Sequence, residues 1–178
     1  MPALVFIVVR YDGIRRRACF SREKPVPAVG VANIVLEEPR RYIFFADFDR
    51  DTVPECLCRE FNEYIITRTR KGYHFIGFRM LTWKQLNKLW TRYKSYLDKK
   101  WVNLQRKRGY AILRVAGKYR KHDITIEECI CDVWWWWCCR YIELLNILSR
   151  IPPHLVTSSF LDRLLHIVGV YCDATGKH

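Results

Sequence analysis

Acidic side chains are almost missing from one third of this chain. Between Tyr64 and His122 there are 17 lysines and arginines and one acid, Asp98. A solvated surface normally mixes both signs, so this stretch is expected to form a basic face. The whole chain of 178 residues carries a formal charge of +13. That bias points to a polyanionic partner: nucleic acid, nucleotide phosphates or an anionic surface. Long apolar runs are scarce too. The LVFIVV run at residues 4–9 is followed at once by Arg10. A membrane span needs about 20 apolar residues, and no small-residue cleavage site follows this run, as a secretory leader would require. No membrane association is expected, and the cytoplasm is the expected location. Paired C-x-x-C motifs are also missing. The eight cysteines occur as Cys56/Cys58, Cys129/Cys131, the adjacent Cys138 and Cys139, and the isolated Cys19 and Cys172. This is not the spacing of a zinc ribbon. Free buried thiols are the leading expectation, with disulfides and zinc as alternatives. No internal repeat or low-complexity tract occurs.

Half of the residues are hydrophobic, enough for the core of one domain with a small appendage. Strands are expected at 4–9, 31–36, 42–49 and 110–115, and a β-hairpin over 65–69 and 73–79 around Lys71 and Gly72. Helices are expected at 52–64, with Asp51 or Thr52 as cap, and at 82–98. Lys99 to Arg108 is helical or irregular. Helices are also expected at 127–148, closed by Pro152 and Pro153, and at 157–171. The order gives an α/β (α+β) fold with a mainly antiparallel sheet and flanking helices. Residues 1–126 form the core, and 127–178 a helical C-terminal extension packed on it. Trp134, Trp135, Trp136 and Trp137 cover every face of one helical turn, which suits a buried helix, self-association or contact with another protein.

The chemistry concentrates in three pieces. Residues 42–49, YIFFADFD, end in Asp47 and Asp49. On a strand, positions i and i+2 share a face, and two carboxylates side by side repel unless a cation lies between them. Oxygen ligands of this kind suit a hard divalent ion such as Mg²⁺. The plain alternative is a strand running into a polar turn. His74 stands in the strand-like YHFIGF just after Arg70, Lys71 and Gly72. It is either a satisfied core histidine or a phosphate contact. Arg114 ends a strand, with Gly117 and Lys118 following; a planar guanidinium and an ammonium both suit phosphate. Asp98 is either a third metal ligand or a helix-end acid facing Lys94.

Together these pieces resemble the archaeo-eukaryotic primase superfamily, especially its short members from archaeal viruses and plasmids. The resemblance covers about residues 40–120. Asp47 and Asp49 match its motif of two aspartates one residue apart. Gly72, Tyr73 and His74 match its small-residue, any-residue, histidine motif. Leu97 and Asp98 are the best match to a hydrophobic residue followed by an acid. Arg114, Gly117 and Lys118 resemble its nucleotide-proximal segment. No zinc-stem signature or helicase domain accompanies them. The resemblance implies an RRM-like catalytic core and a DNA-dependent nucleotidyltransferase that makes or extends primers. Asp47, Asp49 and Asp98 would hold Mg²⁺ or Mn²⁺, and His74, Arg114 and Lys118 the phosphates of a nucleoside triphosphate. Arg68, Arg70 and Lys71, with Arg106, Lys107 and Arg108, would carry the single-stranded DNA template. The rival readings are a non-catalytic single-stranded-DNA-binding or replication accessory protein, a metal-dependent nuclease, and an interaction module built on the tryptophan helix.

The basic stretch makes a measurable claim. Binding to single-stranded DNA should weaken steeply with salt, with a log–log slope of about 0.7 per neutralised phosphate. A flat affinity between low and moderate salt, measured by fluorescence anisotropy, would remove the basic-face argument.

Overall fold

The computed structural model describes residues 7–12, 27–35, 39–116, 124–132, 135–150 and 171–173. Among them are nine strands and four helices in two sheets. The first sheet contains β1 (Ile7–Asp12), β2 (Pro27–Ala32), β7 (Ile112–Ala116) and β9 (Tyr171–Asp173), in the order β7-β2-β1-β9. The second contains β3 (Ile34–Val35), β4 (Arg41–Phe48), β5 (Tyr64–Arg68), β6 (Tyr73–Leu81) and β8 (Thr125–Ile130), in the order β3-β4-β6-β5-β8. All pairings are antiparallel except β1 with β9. The helices are α1 (Glu55–Glu60), α2 (Trp83–Arg92), α3 (Lys99–Arg108) and α4 (Trp135–Arg150). The mixed α/β class and the antiparallel pairing agree with the sequence. No helix among the described residues is long and apolar enough to cross a membrane.

One hydrophobic cluster joins both sheets to the helices. It contains Phe44, Phe45, Phe48 and Phe75 from the central strands, Leu86 and Trp90 from α2, Leu113 and Val115 from β7, and Tyr141 and Leu144 from α4. Each fully buried aromatic of this kind contributes about 1.5–3 kcal/mol of transfer free energy. Phe44, Phe61, Phe75 and Tyr64 stack on one face of the second sheet, with ring centroids 4.9–6.1 Å apart.

The central strand β4 has an edge that no long strand covers. β3 pairs only with Tyr42 and Arg41. Beyond that point the carbonyls of Ile43, Phe45 and Asp47 point along the same edge, because carbonyls alternate along a strand. Each receives a donor from elsewhere. Asn33 Nδ2 donates to Ile43 O at 2.9 Å, Trp90 Nε1 to Phe45 O at 2.8 Å, and the Asp98 backbone N–H to Asp47 O at 3.0 Å. Asn33 does more. It is fully buried between β2 and β3, its Oδ1 accepts from Ala111 N, and its own N–H and C=O bond Ala111 and Ile43. It therefore fastens the first sheet to the second.

Several sequence expectations need correction. The helix expected at 52–64 shrinks to α1, entered from extended Pro54 with no side-chain cap. Tyr64, the last residue of the expected helix, is taken by the β5 ladders on both sides, while Ile65 and Ile66 are strand as expected. The helix expected at 82–98 is two helices. α2 starts at Thr82 with a reciprocal capping box to Gln85 and stops at Tyr93. Tyr93 is held there because its hydroxyl donates to Glu60, which also binds Arg92 and Arg79. Asp98 does not end a helix: it is the N-cap of α3. The helix expected at 127–148 begins only at Trp135. Residues before it form β8, where hydrogen bonding to β5 outweighs the helix preference of Glu127 and Glu128. β8 spans the boundary between residues 126 and 127, beyond which the extension is expected to begin. The thiols also differ from expectation. Cys56, Cys129 and Cys139 are exposed, Cys58 is half-buried, and Cys131 is joined to Cys138. Of the helix expected at 157–171 only Tyr171 is described, as the first residue of β9; the rest of it and the side chains at 134–137 lie outside the described residues.

Asn33→Ala should destabilise the protein by about 2–5 kcal/mol, because it strands Ala111 N–H and Ile43 C=O without partners in a buried site. Urea unfolding measures this. A loss below about 0.5 kcal/mol, the range of ordinary surface substitutions, would show that the joint between the sheets lies elsewhere.

Candidate active site

The register of the second sheet builds the site. Asp47 on β4 lies directly opposite His74 on β6, and His74 directly opposite Thr67 on β5. Directly paired residues share a face, so the three form one polar row. By strand alternation the row lies on the face opposite Phe44 and Phe75. Asp47 is about a quarter exposed at its side chain, whereas His74 and Thr67 are buried. β4 ends at Phe48, and Asp49 follows it, exposed.

Glycine at position 72 is a steric requirement. A Cβ there would sit 1.8 Å from Phe48 O and 2.9 Å from Arg50 N. The hairpin tip thus packs directly on the backbone that leads from Asp47 to Asp49. From the other side, Arg50 donates to Ser95 O at 2.5 Å and lies over the Tyr96 ring. The exit of β4 is held between the β5–β6 hairpin and the α2–α3 turn.

The same turn delivers Asp98. Its N–H bonds Asp47 O, while its Oδ1 accepts from Lys100 N at 2.8 Å and Trp101 N at 3.3 Å. One carboxylate oxygen therefore caps α3. The expected pairing with Lys94 is replaced by this cap, since α2 has already ended.

His74 is neutral. Burial pushes its pKa down to about 3, assisted by the Arg114 guanidinium from the first sheet. Its Nε2 is 3.7 Å from Asp47 Oδ1, which is too long for a hydrogen bond. The pair would be ionic only with a protonated imidazole. That state would bury a second charged N–H, and Nδ1 has no partner, so burial governs. Thr67 Oγ1 beside it is likewise buried and without a hydrogen-bond partner. Two orphaned polar atoms in one row are costly unless a ligand or water meets them.

The remaining predicted residues divide by place. Arg68 and Lys71 are exposed on the hairpin next to the β4 exit, with Arg70 between them. Arg68 donates to Tyr73 Oη at 3.3 Å and lies 3.9 Å from Glu127. Arg106, Lys107 and Arg108 fill the last turn of α3, about 14 Å along the helix from Asp98 at 1.5 Å per residue. Arg106 is a tie between helices, donating to Asn87 Oδ1 and Thr91 Oγ1 at 2.9 Å. Arg108 leans on Tyr110 and donates to Gln105. Arg114 is half-buried on β7, and Lys118 and Gly117 lie outside the described residues. Sequence reasoning missed Thr67. Its signal is a hydroxyl closing the apolar YII run of β5, opposite the histidine across the hairpin.

No family model, no curated protein and no solved structure matches this chain.

The His74 assignment has a pH consequence. The unfolded imidazole titrates near 6.5 and the folded one near 3, so the unfolded chain binds more protons between these values. The stability is fully present above pH 6.5 and is lost as pH falls toward 3, at up to about 1.4 kcal/mol per pH unit for one proton. His74→Gln should remove that one-proton slope from the acid limb. An NMR titration showing His74 protonating near its ordinary pKa in the folded protein would overturn the neutral assignment.

Proposed function

We propose that this chain is a metal-dependent, DNA-templated nucleotidyltransferase of the primase type, with an RRM-like core to which residues 127–178 contribute α4, β9 and most of β8. The observation that carries the reading is the hydrogen bond from Asp98 N–H to Asp47 O. Residues separated by half of the chain's basic stretch meet at the strand end that already carries two acids and faces a histidine.

The donor types suit a hard divalent cation. Among the described residues only Cys129, Cys131 and Cys138 bring three ligand atoms within 4.8 Å of one another, so a cation would have to draw the carboxylates together. The set offers carboxylate oxygens at a half-buried strand end, beside a neutral imidazole that adds no competing charge. Asp47, Asp49 and the second oxygen of Asp98 would hold Mg²⁺ or Mn²⁺, which supply charge neutralisation at a transferring phosphoryl group. His74 would present a ring N–H to a phosphate oxygen, the unpartnered Thr67 hydroxyl in the same row would be available to the same ligand, and Arg114 would add positive charge from the neighbouring sheet. Arg68, Arg70 and Lys71 on the hairpin track a template phosphate backbone leading to the acids. The protein's contribution is positioning and electrostatics, as phosphoryl transfer requires.

A non-catalytic, single-stranded-DNA-binding role is the second reading. It is favoured by Asp98 Oδ1 being engaged by two backbone N–H groups. One substitution separates the two. Asparagine caps helices as well as aspartate, so Asp98→Asn keeps α3 while removing the charge.

Labelled nucleotides supplied with primed and unprimed single-stranded templates should be incorporated in the presence of Mg²⁺ or Mn²⁺. Asp49→Ala should lower incorporation about a hundredfold or more, the scale of one lost electrostatic stabiliser, with unchanged melting temperature. Asp98→Asn should do the same. Full activity in Asp49→Ala would move the site elsewhere. Full activity in Asp98→Asn would leave that residue as a cap only. Template shortening without extension would mark a nuclease, and DNA binding with neither activity the accessory role.

A further inference from the structure

Away from the polar row, three sulfurs converge where β8 meets α4. Cys129 and Cys131 end the strand side, and Cys138 comes from the first turn of the helix. One ligand atom from each lies within 4.8 Å of the other two. Cys131 is bonded to Cys138, which accounts for two of the three. It leaves Cys129 Sγ 3.7 Å from Cys131 Sγ. In a tetrahedral zinc site with Zn–S near 2.3 Å, neighbouring sulfurs are about 3.8 Å apart. The spacing of the Cys129 sulfur from that of Cys131 is therefore that of a tetrahedron edge. The burial gradient fits as well: Cys138 is buried, Cys131 half-buried and Cys129 exposed. The cluster is anchored on its inner side and open on its outer side.

We propose that Cys129, Cys131 and Cys138 form a three-thiolate site for a soft divalent ion, Zn²⁺, that becomes available when the Cys131–Cys138 bond is reduced. A dithiol reductant supplies two electrons and two protons. The S–S bond breaks to two thiols, and the dithiol leaves as its own disulfide. The ion then displaces three thiol protons, and its fourth position opens to solvent. Soft thiolates select zinc over the hard cations suited to carboxylates, so this site and the Asp47 site would take different metals. It also has a distinct mechanical role: it would fix the start of α4 to the free edge strand of the second sheet, in place of the disulfide. The inference does not depend on nucleotidyl transfer.

The test uses the full chain, reduced with a phosphine and titrated anaerobically with Co²⁺ as the spectroscopic probe. One equivalent should bind with a thiolate-to-cobalt charge-transfer band, and one equivalent of Zn²⁺ should displace it. The oxidised chain should show no band. Cys129→Ser, at an exposed position where folding is unaffected, and Cys138→Ser should each weaken Co²⁺ binding at least tenfold. Cys56→Ser, outside the cluster, should leave it unchanged. A reduced chain without the band would overturn the proposal. So would wild-type affinity in Cys129→Ser, or a disulfide that merely shuffles to Cys129.

Discussion

The bare edge of β4 is the constraint on which the rest of this structure depends. A central strand with unpaired carbonyls at Ile43, Phe45 and Asp47 would cost the desolvation of three acceptors. β3 is two residues long and cannot help past Tyr42. The three donors that step in come from three different parts of the chain: the Asn33 side chain, the Trp90 indole and the Asp98 backbone. Each therefore does two jobs. Asn33 fastens the two sheets, Trp90 docks α2 and packs at right angles on Trp83 and Trp101, and Asp98 turns the chain into α3. Satisfying the backbone of one strand thereby sets the position of every element around the acids.

The candidate site inherits its rigidity from this arrangement. Its side chains stand on ladder-paired strands and a helix cap, and the only loop involved is clamped on both sides. Gly72 lets the hairpin lie against Phe48 O, and Arg50 pulls the opposite flank onto Ser95. Sites held this way lose little entropy when a ligand binds. The charge arrangement follows the same logic. Neutral His74 avoids placing a second cation beside Arg114, and the exposed cations Arg68, Arg70 and Lys71 lie on the hairpin, where a long polyanion can reach them.

Much of this was legible in the sequence because it depends on local patterns. The alternation in YHFIGF and the Lys71-Gly72 turn specify the hairpin, and its register alone puts His74 opposite Thr67. The apolar run before Asp47 specifies β4. What could not be seen depends on long-range pairing. Tyr64, expected to end a helix, becomes the first residue of β5 because β6 and β8 flank it. Glu127 and Glu128 favour helix and become an edge strand for the same reason. Asn33 gave no signal, since a lone asparagine near Gly30 looks like any turn residue; its role exists only when Ala111 and Ile43 are brought to it. The cysteine cluster was hidden likewise, because its third member lies across a strand-to-helix turn that the sequence suggested was one continuous helix.

Asp98 shows how a single residue can meet a structural and a chemical demand at once. A helix N-terminus presents unpaired N–H groups and partial positive charge, so it attracts a carboxylate. The cap needs only one oxygen, and Oδ1 takes both N–H groups. That engagement fixes the rotamer and draws electron density from the group without neutralising its charge. Any cation role proposed for this acid would fall to its second oxygen. Its backbone N–H is meanwhile committed to Asp47 O, so its distance from the strand end cannot drift. The N-terminal field of α3 also favours a negative charge at its cap. The backbone bond to Asp47 and the cap of α3 together place this third acid next to the end of β4.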